Sequence, residues 1–238
     1  RELSVRDIQE SSDLASALVR SGNTLRAQDL NVILRHFGNL NRLKDLCQLF
    51  DWMKQNEKTN FASYSSYIKF IGKGSNSLKA LEVYNSIKDE SVRTNVSVCN
   101  STLHSLVKAG NHSISLKLFN EMKRAGLLPD VVTYSTLLAG CSKVKDGYVK
   151  AMELVREMES RGLAMDTVLY GTIISVCALN NRCEEAQKYF NKMKGEGFSP
   201  NSFHYSSLLN AYAYDGNYKK ADELIQEMRS AGVNLDKV

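Results

Sequence analysis

The sequence predicts an all-α solenoid of stacked helix-turn-helix repeats, and two observations predict it. First, the stretch Thr167–Asn201 carries two apolar helical faces in succession. Tyr170, Ile173, Ile174 and Cys177 fall at i, i+3, i+4 and i+7, and Ala186, Phe190 and Met193 repeat the pattern after a polar Asn180-Asn181-Arg182 turn. Gly197 suits a left-handed helix end, and Pro200 stops the chain from continuing it. Second, the pattern recurs. The residues matching Met193 are Met53, Ile87, Met122, Met158 and Met228, at steps of 34, 35, 36, 35 and 35 along the chain. A single hairpin cannot bury both of its apolar faces, so a fixed period of this length means neighbours stacked on one another.

Residues 4–21 read as one helix or an incomplete hairpin that covers the open face of the first unit. Asp13, Leu14, Ala17 and Leu18 mark the covering face, and Ser21-Gly22-Asn23 breaks it. Residues 1–26 are therefore a capping helix or partial repeat, and six repeats follow: 27–60, 61–95, 96–130, 131–166, 167–201 and 202–236. Repeat 1 is one residue short and holds the sole tryptophan, Trp52, expected to pack against the cap. Repeat 4 carries one extra residue near Lys145–Gly147. The aromatic slot reads Leu30, Tyr64, Cys99, Tyr134, Tyr170, Tyr205, and the small slot Leu46, Ala80, Ser115, Ala151, Ala186, Ala221. The chain begins at Arg1 rather than Met, so a processed or trimmed piece is expected, and further repeats are expected beyond Val238. An open solenoid end exposes apolar surface and allows a homodimer.

Composition narrows the function. A net charge of +5 permits nucleic acid without demanding it. No apolar run approaches the ~18 residues of a membrane span, so no membrane partner is expected. Five cysteines with no CxxC pair read as buried free thiols in a reducing compartment. His36, His104, His112 and His204 show no metal-ligand spacing and read as surface or turn histidines, so neither a metal nor a cofactor is expected. No deaminase signature, nucleophile elbow or P-loop occurs, and no catalytic residue is assigned.

Two helical families share the repeat length. The tetratricopeptide pattern wants Gly where this chain has Leu34, Ile68, Leu103, Leu138, Ile174 and Leu209. The stretches DVVTYSTLLAGCSKV (130–144) and AMELVREMESRGLAMD (151–166), with the endings AGLLPD (125–130) and GFSPN (197–201), instead resemble the pentatricopeptide repeat family. The resemblance covers 27–236 in six in-phase units of the plain 35-residue subtype. It implies a right-handed superhelix that binds single-stranded RNA in a chloroplast or a mitochondrion. Splicing, processing, stabilisation and editing support all remain open. A protein-binding scaffold and a targeting arm of a larger RNA-processing enzyme are the rival readings, and other RNA-processing proteins are candidate partners.

Three columns carry the expected site. One residue past the aromatic slot stand Asn31, Ser65, Asn100, Ser135, Gly171 and Ser206. Asn and Ser are poor helix-interior residues, so their recurrence asks for a reason. The last residue of each repeat is Asn60, Asn95, Asp130, Asp166, Asn201 or Asp236. These are also preferred N-caps, and capping accounts for the same residues. The second residue of each repeat is Gln28, Ala62, Ser97, Val132, Val168 or Phe203. By resemblance, the first two columns read one base per repeat and Val132, Val168 and Phe203 pack between bases. Carried over, Asn31/Asn60 implies a pyrimidine, Ser65/Asn95 adenine and Asn100/Asp130 uracil. Ser135/Asp166 and Ser206/Asp236 imply guanine, and Gly171 leaves Asn201 alone with an open base. Lys73, Lys108 and Lys143, spaced by 35, form a stripe fit for phosphates, interrupted at Asn39, Leu179 and Tyr214.

Overall fold

The computed structural model describes residues 2–73, 77–142, 144 and 147–234, and every regular element among them is helical. The chain divides into two units, residues 1–129 and 130–238.

The first unit opens with α1 (Glu2–Glu10) and α2 (Leu14–Ser21), two helices rather than one. The break has a local cause: Asp13 accepts a hydrogen bond from the Ser16 amide at 3.3 Å and starts α2. α3 (Ala27–Asn39) and α4 (Leu43–Gln55) follow, then α5 (Phe61–Ile71), α6 (Ser77–Asn85), α7 (Glu90–Arg93), α8 (Val96–Lys108) and α9 (His112–Arg124). α1 packs on α3 and α2 on α4, so the N-terminal pair continues the stack as a hairpin. Leu14, Ala17 and Leu18 are buried there. Trp52 lies against Gly22, where an added Cβ would meet its ring at 2.7 Å. Lys58 donates to the carbonyls of Gly22, Asn23 and Leu25 at 3.0, 2.9 and 2.8 Å, closing the 3-10 turn that follows α2.

α3, α5 and α8 stack side by side, each paired with the helix that follows it. Leu30, Ile33, Leu34 and Phe37 of α3 are wholly buried, which is the i, i+3, i+4, i+7 face. Each such side chain contributes roughly 1.5–3 kcal/mol through burial. Repeat 2 departs from regularity. Its second helix stops at Asn85 and resumes as α7, because Ser86 turns its hydroxyl back to the Val83 carbonyl and Asp89 caps Ser91. Ile87 still fills its core slot, at 4% exposure.

The second unit contains α10 (Val131–Cys141), α11 (Gly147–Ser160), α12 (Thr167–Leu179), α13 (Cys183–Gly195), α14 (Ser202–Tyr214) and α15 (Tyr218–Ser230). α10, α12 and α14 stack in order, and α11, α13 and α15 each pair with the helix before. Tyr170, Ile173, Ile174 and Cys177 are wholly buried. After α13, Gly197 takes φ +87°, and the Phe198 amide reaches the Met193 carbonyl at 3.1 Å, a Schellman end. Tyr134 and Tyr205 each direct a hydroxyl to a carboxylate on the following helix, Glu157 at 2.9 Å and Glu227 at 3.1 Å. In repeat 5 the matching residue is Lys192, which pairs with Glu159 instead. The buried Tyr170 hydroxyl therefore has no hydrogen-bond partner, although Glu196 lies near enough to add to the upward pKa shift that burial causes.

Four of the five cysteines are buried and Cys47 is half-buried; all are free thiols. One histidine departs from expectation. His204 is buried at 2% exposure, because its ring bridges two backbone groups of successive helices.

Candidate nucleic-acid interface

The first helix of repeats 2 to 6 starts one residue after an Asn or Asp that caps it, whereas α3 of repeat 1 starts after Arg26. Asn60 accepts from the Ser63 amide at 3.0 Å, Asn95 from Ser97 at 3.0 Å and Asp130 from Thr133 at 2.9 Å. Asp166 accepts from Leu169 at 2.8 Å, and Asn201 from Phe203 and His204 at 3.1 and 3.3 Å. A cap uses one terminal oxygen. The bond must come from a backbone N–H, so in each Asn it consumes Oδ1 and fixes the amide orientation. What remains is an NH2 group in Asn95 and Asn201, and the second carboxylate oxygen in Asp166. Capping therefore leaves a second polar atom on these three side chains. An Asn cap leaves a donor and an Asp cap leaves an acceptor.

The partner column sits inside the same helices and is more varied. Asn31 is buried at 3% exposure and is fully engaged: Nδ2 donates to Asn60 Oδ1 at 3.2 Å, and Oδ1 accepts from Ser63 Oγ at 2.7 Å. Ser65 lies within hydrogen-bond distance of Ser97 Oγ at 3.0 Å and Ser101 Oγ at 2.9 Å. Asn100 is buried, at 9% exposure. Ser135 is half-buried, with no hydrogen bond to any described residue. Ser206 bonds back to the Ser202 carbonyl at 2.8 Å, one turn earlier. Asp236 lies outside the described residues.

At Gly171 the missing side chain is replaced by its neighbours. A Cβ there would stand 3.0 Å from the Phe203 ring and 3.1 Å from His204 Nε2. The His204 ring is fixed at both nitrogens. Nδ1 accepts from the Asn201 amide at 3.1 Å, so Nε2 carries the proton and donates to the Thr167 carbonyl at 2.8 Å. Sequence reading missed both His204 and Ser63. The available signal was their place three residues after a capping Asn, where a side chain folds back to the cap's own amide.

The second-residue column presents apolar side chains to solvent in the second unit. Val132, Val168 and Phe203 are 58%, 66% and 54% exposed on three successive stacked helices. In the first unit Gln28 and Ser97 are exposed and Ala62 is half-buried. Of the lysine stripe, Lys73 is exposed, with its ammonium 4.8 Å from the centre of the Phe70 ring, and Lys108 is exposed. Lys143 lies outside the described residues. The arrangement alternates flat or branched apolar surface with single donors and acceptors at a spacing of one helix. It suits a ligand with stacked faces and hydrogen-bonding edges.

The PPR repeat family matches residues 94–143 and 165–214, and its single-repeat form matches 132–163 and 203–233. A chloroplastic pentatricopeptide repeat-containing protein of Arabidopsis thaliana is 59% identical over 214 residues, 90% of this chain and 32% of that protein. A second Arabidopsis thaliana pentatricopeptide repeat-containing protein is 30% identical over 63% of this chain and 31% of its own length. The chain thus spans about a third of the length of these relatives. Among solved structures, maize PPR10 in complex with an 18-nt psaJ RNA element superposes with a TM-score of 0.68 at 23% identity. That likeness covers 99% of this chain and 35% of PPR10. The PPR domain of Arabidopsis thaliana protein-only RNase P 1, in complex with tRNA, gives 0.60 at 18% identity, over 71% of this chain and 89% of that one. Those two likenesses are of fold, and they agree with the helical stacking of each unit. With its repeats matched over more than half its length, the chain belongs to the pentatricopeptide repeat family.

Proposed function

We propose that this chain is a sequence-preferring, single-stranded RNA-binding segment that reads one base per repeat. The observation that carries the reading is the division of labour within the caps of Asn95, Asp166 and Asn201. One atom holds the helix, and the other stays available at a base edge, beside a second polar residue and an exposed apolar one. Single-stranded bases offer open edges and faces, which is what such a row accepts.

The chemistry of the spare atom supports the assignments. Asp166 keeps an acceptor, which suits the N–H groups on the pairing edge of guanine. Asn95 keeps a donor, which suits the ring acceptor of adenine. A short Ser at the partner position leaves room for a purine, and the longer Asn100 reaches a pyrimidine. The proposed target reads pyrimidine-A-U-G-any-G from 5′ to 3′. Repeat 1 contributes least, because Asn31 is closed by its own network. Such a protein acts by occupancy rather than by catalysis: it shields a site, remodels an RNA fold or recruits other factors. The chloroplastic relative and the RNA-bound PPR10 support a role in chloroplast RNA metabolism.

Selection of bound strands from a random pool of short RNAs tests this, with Asn100→Ser beside the wild type. Uracil opposite repeat 3, shifting to guanine in the variant, is the expected result. A wild type that retains no single-stranded RNA at low salt sinks the proposal and leaves a protein-binding scaffold.

A further inference from the structure

Arg35, Lys69 and His104 occupy the same position of α3, α5 and α8, one helical turn beyond Asn31, Ser65 and Asn100. The three helices are stacked neighbours, so the residues form a row parallel to the reading column. All three are exposed, and none makes a hydrogen bond or ion pair with a described residue. Two other cations of this unit are paired, Arg20 with Asp7 at 3.4 Å and Arg42 with Asp45 at 2.6 Å. One turn further stand Lys73 and Lys108, also exposed. In the second unit the matching slots hold Ala139, Ser175 and Asn210, and the next turn holds Lys143, which lies outside the described residues, then Leu179 and Tyr214. The cationic row is a property of the first unit.

His104 is the point where these charges converge. Partial burial of its ring, then the ammonium groups of Lys108 and Lys69, hold its pKa below the usual histidine value. Lys69 faces it from α5 and Lys108 from its own helix. The other elements packed against α8 carry Lys79 and Glu82 on α6, Glu90 and Arg93 on α7, and Lys117 and Glu121 on α9. A neutral imidazole between two cations is a seat waiting for an anion, because an anion reverses the sign of the local potential.

Building on the single-stranded RNA reading, we propose that Arg35, Lys69 and His104 form a second row of phosphate-binding side chains in the first unit. In it, His104 takes up one proton from solvent when an RNA phosphate occupies the seat it shares with Lys69 and Lys108. The proton returns to solvent when the RNA leaves. The first unit then supplies backbone affinity, and the second supplies base packing through Val132, Val168 and Phe203.

Fluorescence anisotropy with a labelled single-stranded oligoribonucleotide carrying the proposed target tests this between pH 8 and pH 6. Wild-type affinity is expected to rise as pH falls, by at most about tenfold per pH unit for a single proton. His104→Gln is expected to lose the pH dependence. Lys69→Ala and Arg35→Ala are each expected to lower the slope of log affinity against log salt by about 0.7. The side-chain NMR titration of His104 is expected to move to higher pH on adding the RNA. Equal pH dependence in wild type and His104→Gln overturns the inference, as does an unchanged salt slope in both Ala variants. If base preference survives those results, only this inference falls. If no single-stranded RNA binds at any pH, the proposed function falls with it.

Discussion

Asn31 Nδ2 donates to Asn60 Oδ1 at 3.2 Å, so two side chains 29 positions apart in the first repeat are bonded to each other. Ser63 completes the ring, donating from its hydroxyl to Asn31 Oδ1 at 2.7 Å and accepting from the Asn60 amide at 3.1 Å. Asn31 and the helix cap Asn60 are thus one hydrogen-bonded system with Ser63.

Ser63→Ala breaks this system at its buried centre. It leaves the Asn31 oxygen and the Asn60 amide without a partner, at a cost of about 1–3 kcal/mol. A urea unfolding curve measures it. An unchanged midpoint would mean that Asn31 finds another partner.

Two buried tyrosines of the second unit, Tyr170 and Tyr205, should respond differently to loss of the hydroxyl. Tyr205→Phe removes a bond to Glu227 and costs roughly 1 kcal/mol. Tyr170→Phe removes a hydroxyl that has no partner, so stability is expected to stay level or rise. Thermal unfolding of both variants decides. A larger loss for Tyr170→Phe than for Tyr205→Phe contradicts the structure.

Gly171→Ser gives repeat 5 the side chain it lacks. The new Cβ meets the Phe203 ring at 3.0 Å, and that ring is half exposed and able to shift. Replacing Gly within a helix gains up to about 0.5 kcal/mol, which offsets part of the crowding against His204. The expected binding change is from no preference at that base to adenine, read by selection from a pool randomised at this position. A variant that folds and still shows no preference removes repeat 5 from the reading scheme.

Burial raises the thiol of Cys141 to about 11 and of Cys177 to about 12, from an ordinary 9.0. A raised folded value means that this contribution to stability is complete below pH 9 and is lost as pH climbs through 11 and 12. Stability should therefore fall over that alkaline range. At pH 8 the native protein should present Cys47 first to a thiol reagent, and all five thiols only after denaturation. Cys177 reacting as fast as Cys47 would show that the α12 core opens readily.

The period, the helix starts and the core slots were legible in the sequence, because each rests on local spacing. The Met193 series lies in the core at every repeat, including Ile87. The caps were legible too, and the structure shows the capping half of that reading, with one side-chain oxygen accepting the helix amide. What stayed hidden depends on contacts between repeats. His204 passed for a surface histidine, because its burial is decided by the Thr167 carbonyl on another helix and by the space above Gly171. Asn31 passed for an open reader, because Ser63 belongs to the next repeat. The break between α6 and α7 comes from Ser86 and Asp89 diverting backbone groups, a choice that the core-slot pattern does not record.

The most direct test of the central claim is the base preference of Asp166→Asn opposite repeat 4. Asn caps a helix as well as Asp does, so the fold should be unchanged, and only the spare atom turns from acceptor to donor. The account predicts that the preferred base changes from guanine to adenine, with an unaltered thermal midpoint. A variant that folds normally and keeps guanine would show that Asp166 caps its helix and reads nothing.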